Sequence, residues 1–122
     1  MVTATAGIPE TLEYVVEKLA GAGLAASHTV GGLVVPGAWV HVHSYERHTL
    51  TAARLGVHVD LIAEGVSEVH AIAQLDDMLA RALTVITPTA PIETDNAIEF
   101  DSGALPSFRI PITIEYTPEK TS

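Results

Sequence analysis

The stretch LGVHVDLIAEGVSEVHAIAQLDDMLARALTVI, residues 55–86, decides the fold because it joins a strand pattern to a helix pattern across one short turn. Apolar and polar residues alternate at the start of residues 55–63, which is typical of a β-strand with one buried face. Glu64 and Gly65 favour a turn, and the Ser67 hydroxyl is suited to capping the start of a helix. Apolar residues then recur at the spacing of an amphipathic helix of about five turns: Val69, Ile72, Leu75, Leu79, Leu83 and Ile86. We therefore predict a strand that leads directly into a helix.

Further elements lie on both sides of this unit. An opening helix over residues 9–22 has proline at its first turn and glycines near its end. Alternation and turn residues predict the remaining elements: a candidate edge strand at 26–30, a strand at 38–43, a polar hairpin tip at 44–48, a start of the long strand near Thr51, and late strands at 92–100 and 108–117. Pro111 favours an edge or a bulge at its position in the last strand.

This order of elements predicts an α+β fold, with a mainly antiparallel sheet of about four strands and both helices packed on one face. The 122 residues are expected to form a single domain. Residues 1–7 are expected to form a flexible arm and residues 118–122 a flexible tail.

Composition excludes several classes of function. The chain has no cysteine, which rules out disulfides, thiolate metal sites and a cysteine nucleophile. Its formal net charge is −9, and such a surface repels phosphate, so nucleic-acid binding is disfavoured. No apolar run approaches the roughly 20 residues that a membrane helix needs, and the N-terminus lacks the basic region of a signal peptide. We therefore expect a protein that is made and used in a cytoplasm-like setting, with no membrane partner.

Histidines are concentrated on the predicted hairpin. His41 and His43 share one face of their strand, and His58 and Asp60 share one face of its partner. Three imidazoles and a carboxylate are a ligand set for zinc, provided that the two strands pair in the right register. The same residues also suit a surface or an interface without metal. The sequence leaves both readings open, and we favour the second.

The motifs of known chemistry are missing. Gly31 and Gly32 are not followed by a helix with a lysine, so they do not form a phosphate-binding loop, and no serine lies in a nucleophile elbow. We predict no catalytic residue, no cofactor and no enzymatic activity.

Trp39 is predicted on the sheet face that the helices leave uncovered. A large aromatic residue there favours contact with a partner, including a second copy of the chain, although residues 24–37 or the N-terminal arm could also cover it. The candidate interface residues are Trp39, His41, His43, Tyr45, Arg47 and His58. We expect Trp39→Asp to abolish self-assembly and to leave the fold intact.

The layout has a helix at 9–22, a loop with Pro36, the strand WVHV at 39–42, VDLIA at 59–63 followed by a helix with LDDML at 75–79, and IPITI at 110–114. This layout resembles the tail terminator proteins of long-tailed phages, especially those of actinobacterial hosts. The resemblance covers about residues 8–117 and carries over no catalytic residue.

The resemblance implies a structural virion protein. Members of this family form a hexameric ring at the head-proximal end of the tail tube, end tube polymerisation and offer a docking surface to the head–tail connector. The implied partners are copies of this chain, the tube protein and the connector protein. DNA would pass through the ring lumen without sequence-specific binding, and the protein would be assembled in the host cytoplasm.

Two alternatives stay open. Other head–tail connector, completion or minor tail proteins are also small α+β ring formers. The alternative from a different class is a small zinc-dependent enzyme that uses the histidine-rich hairpin face.

Overall fold

The computed structural model describes residues 7–47, 52–64, 67–100 and 103–116. The expected N-terminal arm before residue 7, His48 of the expected hairpin tip, the expected strand start near Thr51, Gly65 of the expected turn and the expected C-terminal tail lie outside the described residues. The elements in chain order are α1 Ile8–Gly21, β1 Ala26–Ser27, a 3-10 turn Val30–Gly32, β2 Gly37–Arg47, β3 Ala53–Ile62, α2 Glu68–Ala82, β4 Glu93–Phe100 and β5 Gly103–Tyr116.

The strands form one sheet in the order β1-β2-β3-β5-β4. β1 runs parallel to β2, and every other neighbouring pair is antiparallel. The predicted α+β class is confirmed. The described sheet has five strands rather than about four, and it is mixed because the two-residue strand β1 adds a parallel edge.

Both helices pack on the same face of the sheet, where their side chains join one buried apolar cluster with the strands. α1 contributes Leu12, Val15 and Leu19, and α2 contributes Leu75 and Met78. Alternate residues of the central strands meet them: Val40, Leu55, Val57, Val59, Leu61, Ile110, Ile112 and Ile114. Each large aliphatic side chain buried in this way stabilises the fold by about 1.5–3 kcal/mol.

The buried side of α2 differs from the predicted one. Its centre is formed by Ala71, Leu75, Met78 and Ala82, whereas Val69 is 81% exposed, Ile72 53% and Leu83 40%. The two alanines are small, and we attribute the difference to them because they let this side of the helix approach the sheet closely. The predicted stripe therefore lies partly on a flank of the helix that faces solvent.

β2 is longer than predicted. Residues 44–47 of the polar tip expected at 44–48 belong to the strand and pair with residues 53–56 of β3. A bulge between Val42 and Ser44 shifts the register there, and this extra residue reverses the phase of the alternation. A Cβ on Gly56 would collide with the Ser44 hydroxyl, so a larger residue at this position would require the Ser44 side chain to move.

Pro111 lies on a part of β5 that is locally an edge, which is one of the two positions that the sequence favours for it. The pairing of β4 with β5 ends at Arg109, and the Pro111 carbonyl accepts a hydrogen bond from the Thr89 N–H at 2.9 Å. The proline therefore lies beyond the reach of β4, where its missing N–H interrupts no ladder.

Candidate functional site

The sheet face opposite the helices carries a cluster of polar and aromatic side chains. The register aligns Trp39 of β2, Asp60 of β3 and Arg109 of β5 in one row. His41 and His58 form the next row, and His43 follows them on β2. We call these six residues the histidine face.

Asp60 is the centre of the histidine face. Its side chain is completely buried, although neither helix covers it. His41 Nε2 lies 2.6 Å from Asp60 Oδ2, while Arg109 donates from Nε to Oδ1 at 2.8 Å and from its terminal nitrogen Nη2 to Oδ2 at 3.2 Å. Because an ionised carboxylate only accepts hydrogen bonds, His41 carries its proton on Nε2 in this arrangement.

These contacts decide the charge of Asp60. Burial alone would raise the pKa of this carboxyl, but the hydrogen bonds from His41 and Arg109 outweigh burial and leave the pKa below its ordinary value. In turn, the hydrogen bond to Asp60 raises the pKa of Arg109. Asp60 is therefore an ionised, buried anchor at neutral pH that holds a side chain from each neighbouring strand.

Stacked rings extend the cluster along β2. The Trp39 ring stacks on His41 with centroids 4.0 Å apart, and the His43 ring stacks on His58 at the same distance. His41 and His58 meet edge to face at 5.6 Å. Burial, followed by the charges of His43 and Arg109, lowers the pKa of His58 and favours its neutral form at pH 7.

The histidine face does not have the arrangement of a zinc site. Both Asp60 oxygens are engaged by His41 and Arg109. The His43 and His58 rings are within 15° of parallel, so their in-plane nitrogen lone pairs do not converge on a common point. In the described part of the chain, no group of three or more histidine, aspartate or glutamate side chains is placed to hold a metal ion.

Not all of the predicted interface residues belong to this cluster. The structure brings Trp39, His41, His43 and His58 together. Tyr45 lies beyond the bulge and pairs with Leu55, whose side chain points to the helices, so Tyr45 faces away from the histidine face. Arg47 has the same phase as Tyr45, and both residues are exposed.

Sequence reasoning missed Arg109 and gave Asp60 a different role. Arg109 alternates with the apolar residues of β5, and this pattern alone indicates only a polar position on the face opposite the core. The pairing that places Arg109 opposite Asp60 joins β3 to β5 across 49 residues, and no local pattern fixes that register.

At the end of the same face near Gly37, Ile62 and Ser107 are paired and buried. The Ser107 hydroxyl has no hydrogen-bond partner among the described residues. Such a group costs about 1–3 kcal/mol of desolvation, and nothing in the described structure compensates for it.

A shallow groove of about 500 Å³ lies beside the histidines. His43 and His58 line one side of it, and Thr89, Pro91 and Glu93 line another. The groove forms where the segment before β4 crosses the end of β5, so a partner that contacts the histidine face would also meet this segment.

No protein family model matches the chain, and no curated protein matches it either. None of the described helices has the length and apolar content needed to cross a membrane.

Proposed function

We propose that this chain is a structural assembly protein that forms a ring at the head-proximal end of a phage tail tube. There it ends tube polymerisation and joins the tail to the head connector. The observation that carries the proposal is the one-sided packing of the sheet. Both helices occupy one face, while the other face carries a preorganised cluster with no helix over it.

The histidine face has the properties of a protein contact surface. Its side chains are held by the Asp60 hydrogen bonds and by ring stacking, so little conformational freedom remains to be lost on binding. Trp39, the histidines and Arg109 combine flat apolar surface with hydrogen-bond donors, and tryptophan and arginine are enriched at interfaces.

A second surface supports the same proposal. Val69, Ile72 and Leu83 expose apolar side chains along one flank of α2. Exposed apolar residues gathered on one side of an element favour a protein partner over solvent. The histidine face and the α2 flank lie on opposite sides of the sheet, as expected of a subunit with neighbours on more than one side.

The remaining parts of the proposal follow from the resemblance and the charge. A net charge of −9 suits a channel wall along which DNA passes without adhering. The partners are copies of this chain, the tube protein and the connector protein, and the place of action is the virion. We assign no enzymatic step to the chain, because the carboxylate at the centre of the histidine face is fully engaged.

A tube-capping assay tests the function. The purified chain is mixed with the tail tube protein that the proposal assigns to it as a partner, and the ends and lengths of the tubes are measured by negative-stain electron microscopy. We expect ring-shaped density at one end of each tube and shorter tubes as the chain is added. Tubes of unchanged length with bare ends, at a clear excess of the chain, would refute the proposal.

The variant Trp39→Asp is unsuitable for this assay. Trp39 is the register partner of Asp60, so the new carboxylate would lie beside a buried carboxylate and the stack on His41 would be lost. Contrary to the sequence-based expectation, this change should weaken the fold as well as assembly.

His43→Glu is a better variant, because His43 is exposed at the rim of the histidine face. His70→Glu on α2 makes the same chemical change at an exposed position away from that face and is the matched control. We expect His43→Glu to lose capping and His70→Glu to keep it, with both variants folded by circular dichroism. Equal capping by the two variants would exclude the histidine face as the contact.

A further inference from the structure

The two ends of the sheet expose strand edges of different character. β4 ends the sheet on one side, and no described strand pairs with its outer edge, residues 93–100. On the other side, β1 pairs only with Ala38 and Trp39. The outer edge of residues 42–44 of β2 has no strand partner among the described residues. We call these segments the β4 edge and the β2 edge.

The hydrogen bonds show which backbone groups point outward on the β4 edge. The Pro106 carbonyl accepts a hydrogen bond from the Ala63 N–H at 3.1 Å, so Pro106 directs its polar group away from β4. Its partner Ala97 is therefore in a non-hydrogen-bonded pair. The N–H and C=O of Ala97, and by the same alternation those of Glu99, point out of the sheet.

The same reasoning applies to β2. The Ala38 N–H donates to the Ala25 carbonyl at 2.7 Å, so the outward phase of β2 contains Ala38, Val40 and Val42. β1 occupies the start of this series. Val42 is the first residue of this series whose N–H and C=O both lie past the end of β1 and are not paired with it. The bulge between Val42 and Ser44 marks the end of this edge.

Charge separates the two edges. β4 carries Glu93, Asp95 and Glu99 and no basic residue, so two β4 edges would place carboxylates against carboxylates. Residues 42–44, which form the β2 edge, carry one histidine and no acidic residue, and the nearby Glu46 is paired in register with the basic Arg54 of β3. A β4 edge therefore finds a better partner in a β2 edge than in a second β4 edge.

We propose that the β4 edge of one copy pairs with the β2 edge of the next copy and extends the sheet from subunit to subunit. This contact is head-to-tail, because it joins two different surfaces, and repetition of such a contact closes a ring if the rotation per subunit allows it. Closure into a ring rests on the proposed function, whereas the choice of edges rests on the register and charge alone. Pairing also covers backbone groups that otherwise invite uncontrolled association.

Disulfide cross-linking tests the contact directly, because the chain contains no cysteine of its own. The double variant Val42→Cys with Ala97→Cys is oxidised and run on a non-reducing gel, and Val42→Cys with Glu99→Cys tests the neighbouring register. We expect a ladder of covalent oligomers up to the ring size from a double variant. The single-cysteine variants should give no ladder. Dimers from Ala97→Cys alone would show that like edges pair and would overturn the proposal.

A backbone variant provides the second test. Ala97→Pro removes the outward N–H and leaves the hydrogen bonds between β4 and β5 in place, whereas Ala97→Val keeps the N–H and is the matched control. We expect Ala97→Pro to weaken assembly about tenfold or more, measured by mass photometry on and off tail tubes, with an unchanged melting temperature.

The outcomes separate the two proposals. Rings that form normally from Ala97→Pro, or rings that give no cross-link in either double variant, would refute the edge contact and leave the proposed function standing. Failure of the unmodified chain to cap tubes, together with an oxidised ladder, would refute the proposed function and support the edge contact. A monomeric chain with neither capping nor a ladder would refute both.

Discussion

Asp60→Asn removes one charge from the centre of the histidine face and preserves the shape of the side chain. In the native chain, the buried Asp60 carboxylate accepts two hydrogen bonds from Arg109 and one from His41. The asparagine retains one acceptor oxygen and gains an NH2 group that cannot accept from either donor. The variant therefore leaves a guanidinium without its buried counterion and gives His41 a poorer partner.

The expected loss follows from these contacts. Removing one member of a buried ion pair costs about 3–5 kcal/mol, and hydrogen bonds to charged groups contribute about 1.5–3 kcal/mol each. The donors are not fully buried: the side chain of Arg109 is 26% exposed and that of His41 is 23% exposed, so water partly replaces the lost contacts. Glu93 is also paired with Arg109 across the strands and offers a second carboxylate. We expect the free energy of unfolding to fall by about 2–3 kcal/mol.

Urea unfolding followed by tryptophan fluorescence measures this loss at the site itself, since Trp39 is the only tryptophan and stacks on His41. Asp77→Asn is the control. Its partner Arg81 lies 3.1 Å away in an exposed pair, so the expected loss is only about 0.2–0.5 kcal/mol.

The pH dependence of the stability is a second test of the role of Asp60. The pKa of Asp60 is lower in the folded state than in the unfolded state. The ionised carboxylate therefore contributes its full stabilisation above the unfolded-state pKa of about 4, and this stabilisation is lost as the pH falls through the folded-state pKa. The stability difference between the native chain and Asp60→Asn should therefore be constant from pH 7 to pH 5 and should narrow below about pH 4. A loss below about 0.5 kcal/mol at pH 7, or a difference that persists unchanged in acid, would refute the central role of this carboxylate.

Four smaller predictions address separate parts of the structure. The pKa of His58 is lower in the folded state, so as the pH falls the unfolded state binds the proton first and the free energy of unfolding decreases below about pH 6.5. His58→Gln should remove this decrease from a curve of stability against pH measured by urea melts. Leu75→Ala should cost about 2–5 kcal/mol in the same melts, because Leu75 is 1% exposed in the core. Ser67→Ala should cost about 1 kcal/mol, since the Ser67 hydroxyl accepts from the His70 N–H at 3.1 Å; a loss near zero would mean that the cap is dispensable. Ser107→Ala should leave thermal stability unchanged or raise it, because its buried hydroxyl has no partner among the described residues.

The elements were predictable where their patterns are local. The strand and helix of residues 55–86, the cap at Ser67 and the edge position of Pro111 all follow from the chemistry of neighbouring residues. The extent of β2 was not predictable, because the bulge after Val42 reverses the alternation and makes strand residues look like a polar turn. The buried side of α2 was misjudged for a related reason: large apolar residues dominate a periodic pattern, yet the small Ala71 and Ala82 lie against the sheet.

The histidine face was only half predictable. Alternation places His41 and His43 on one face of their strand and His58 and Asp60 on one face of the partner strand, and a hairpin brings the two pairs together on the same face of the sheet. The decision between a metal site and an ion-pair cluster depends on Arg109, which reaches the cluster from a strand beyond α2. The Arg109 guanidinium occupies the space beside the Asp60 oxygens that a metal ion would need. The pairing of Arg109 with Asp60 joins strands that are far apart in sequence, so no local pattern predicts it.

The cluster and the open edges are consequences of the same topology. With both helices on one face, His41 of β2, Asp60 of β3 and Arg109 of β5 meet on the other face, and their mutual hydrogen bonds hold the middle of the sheet rigid. Rigidity in the middle fixes the directions in which the β2 edge and the β4 edge point. A ring of identical subunits needs that fixed angle, because an error per contact accumulates around the circle and leaves it open. The buried ion pair is thus expected to affect assembly as well as stability, and Asp60→Asn should give a broader distribution of oligomer sizes than the native chain does under conditions where both are folded.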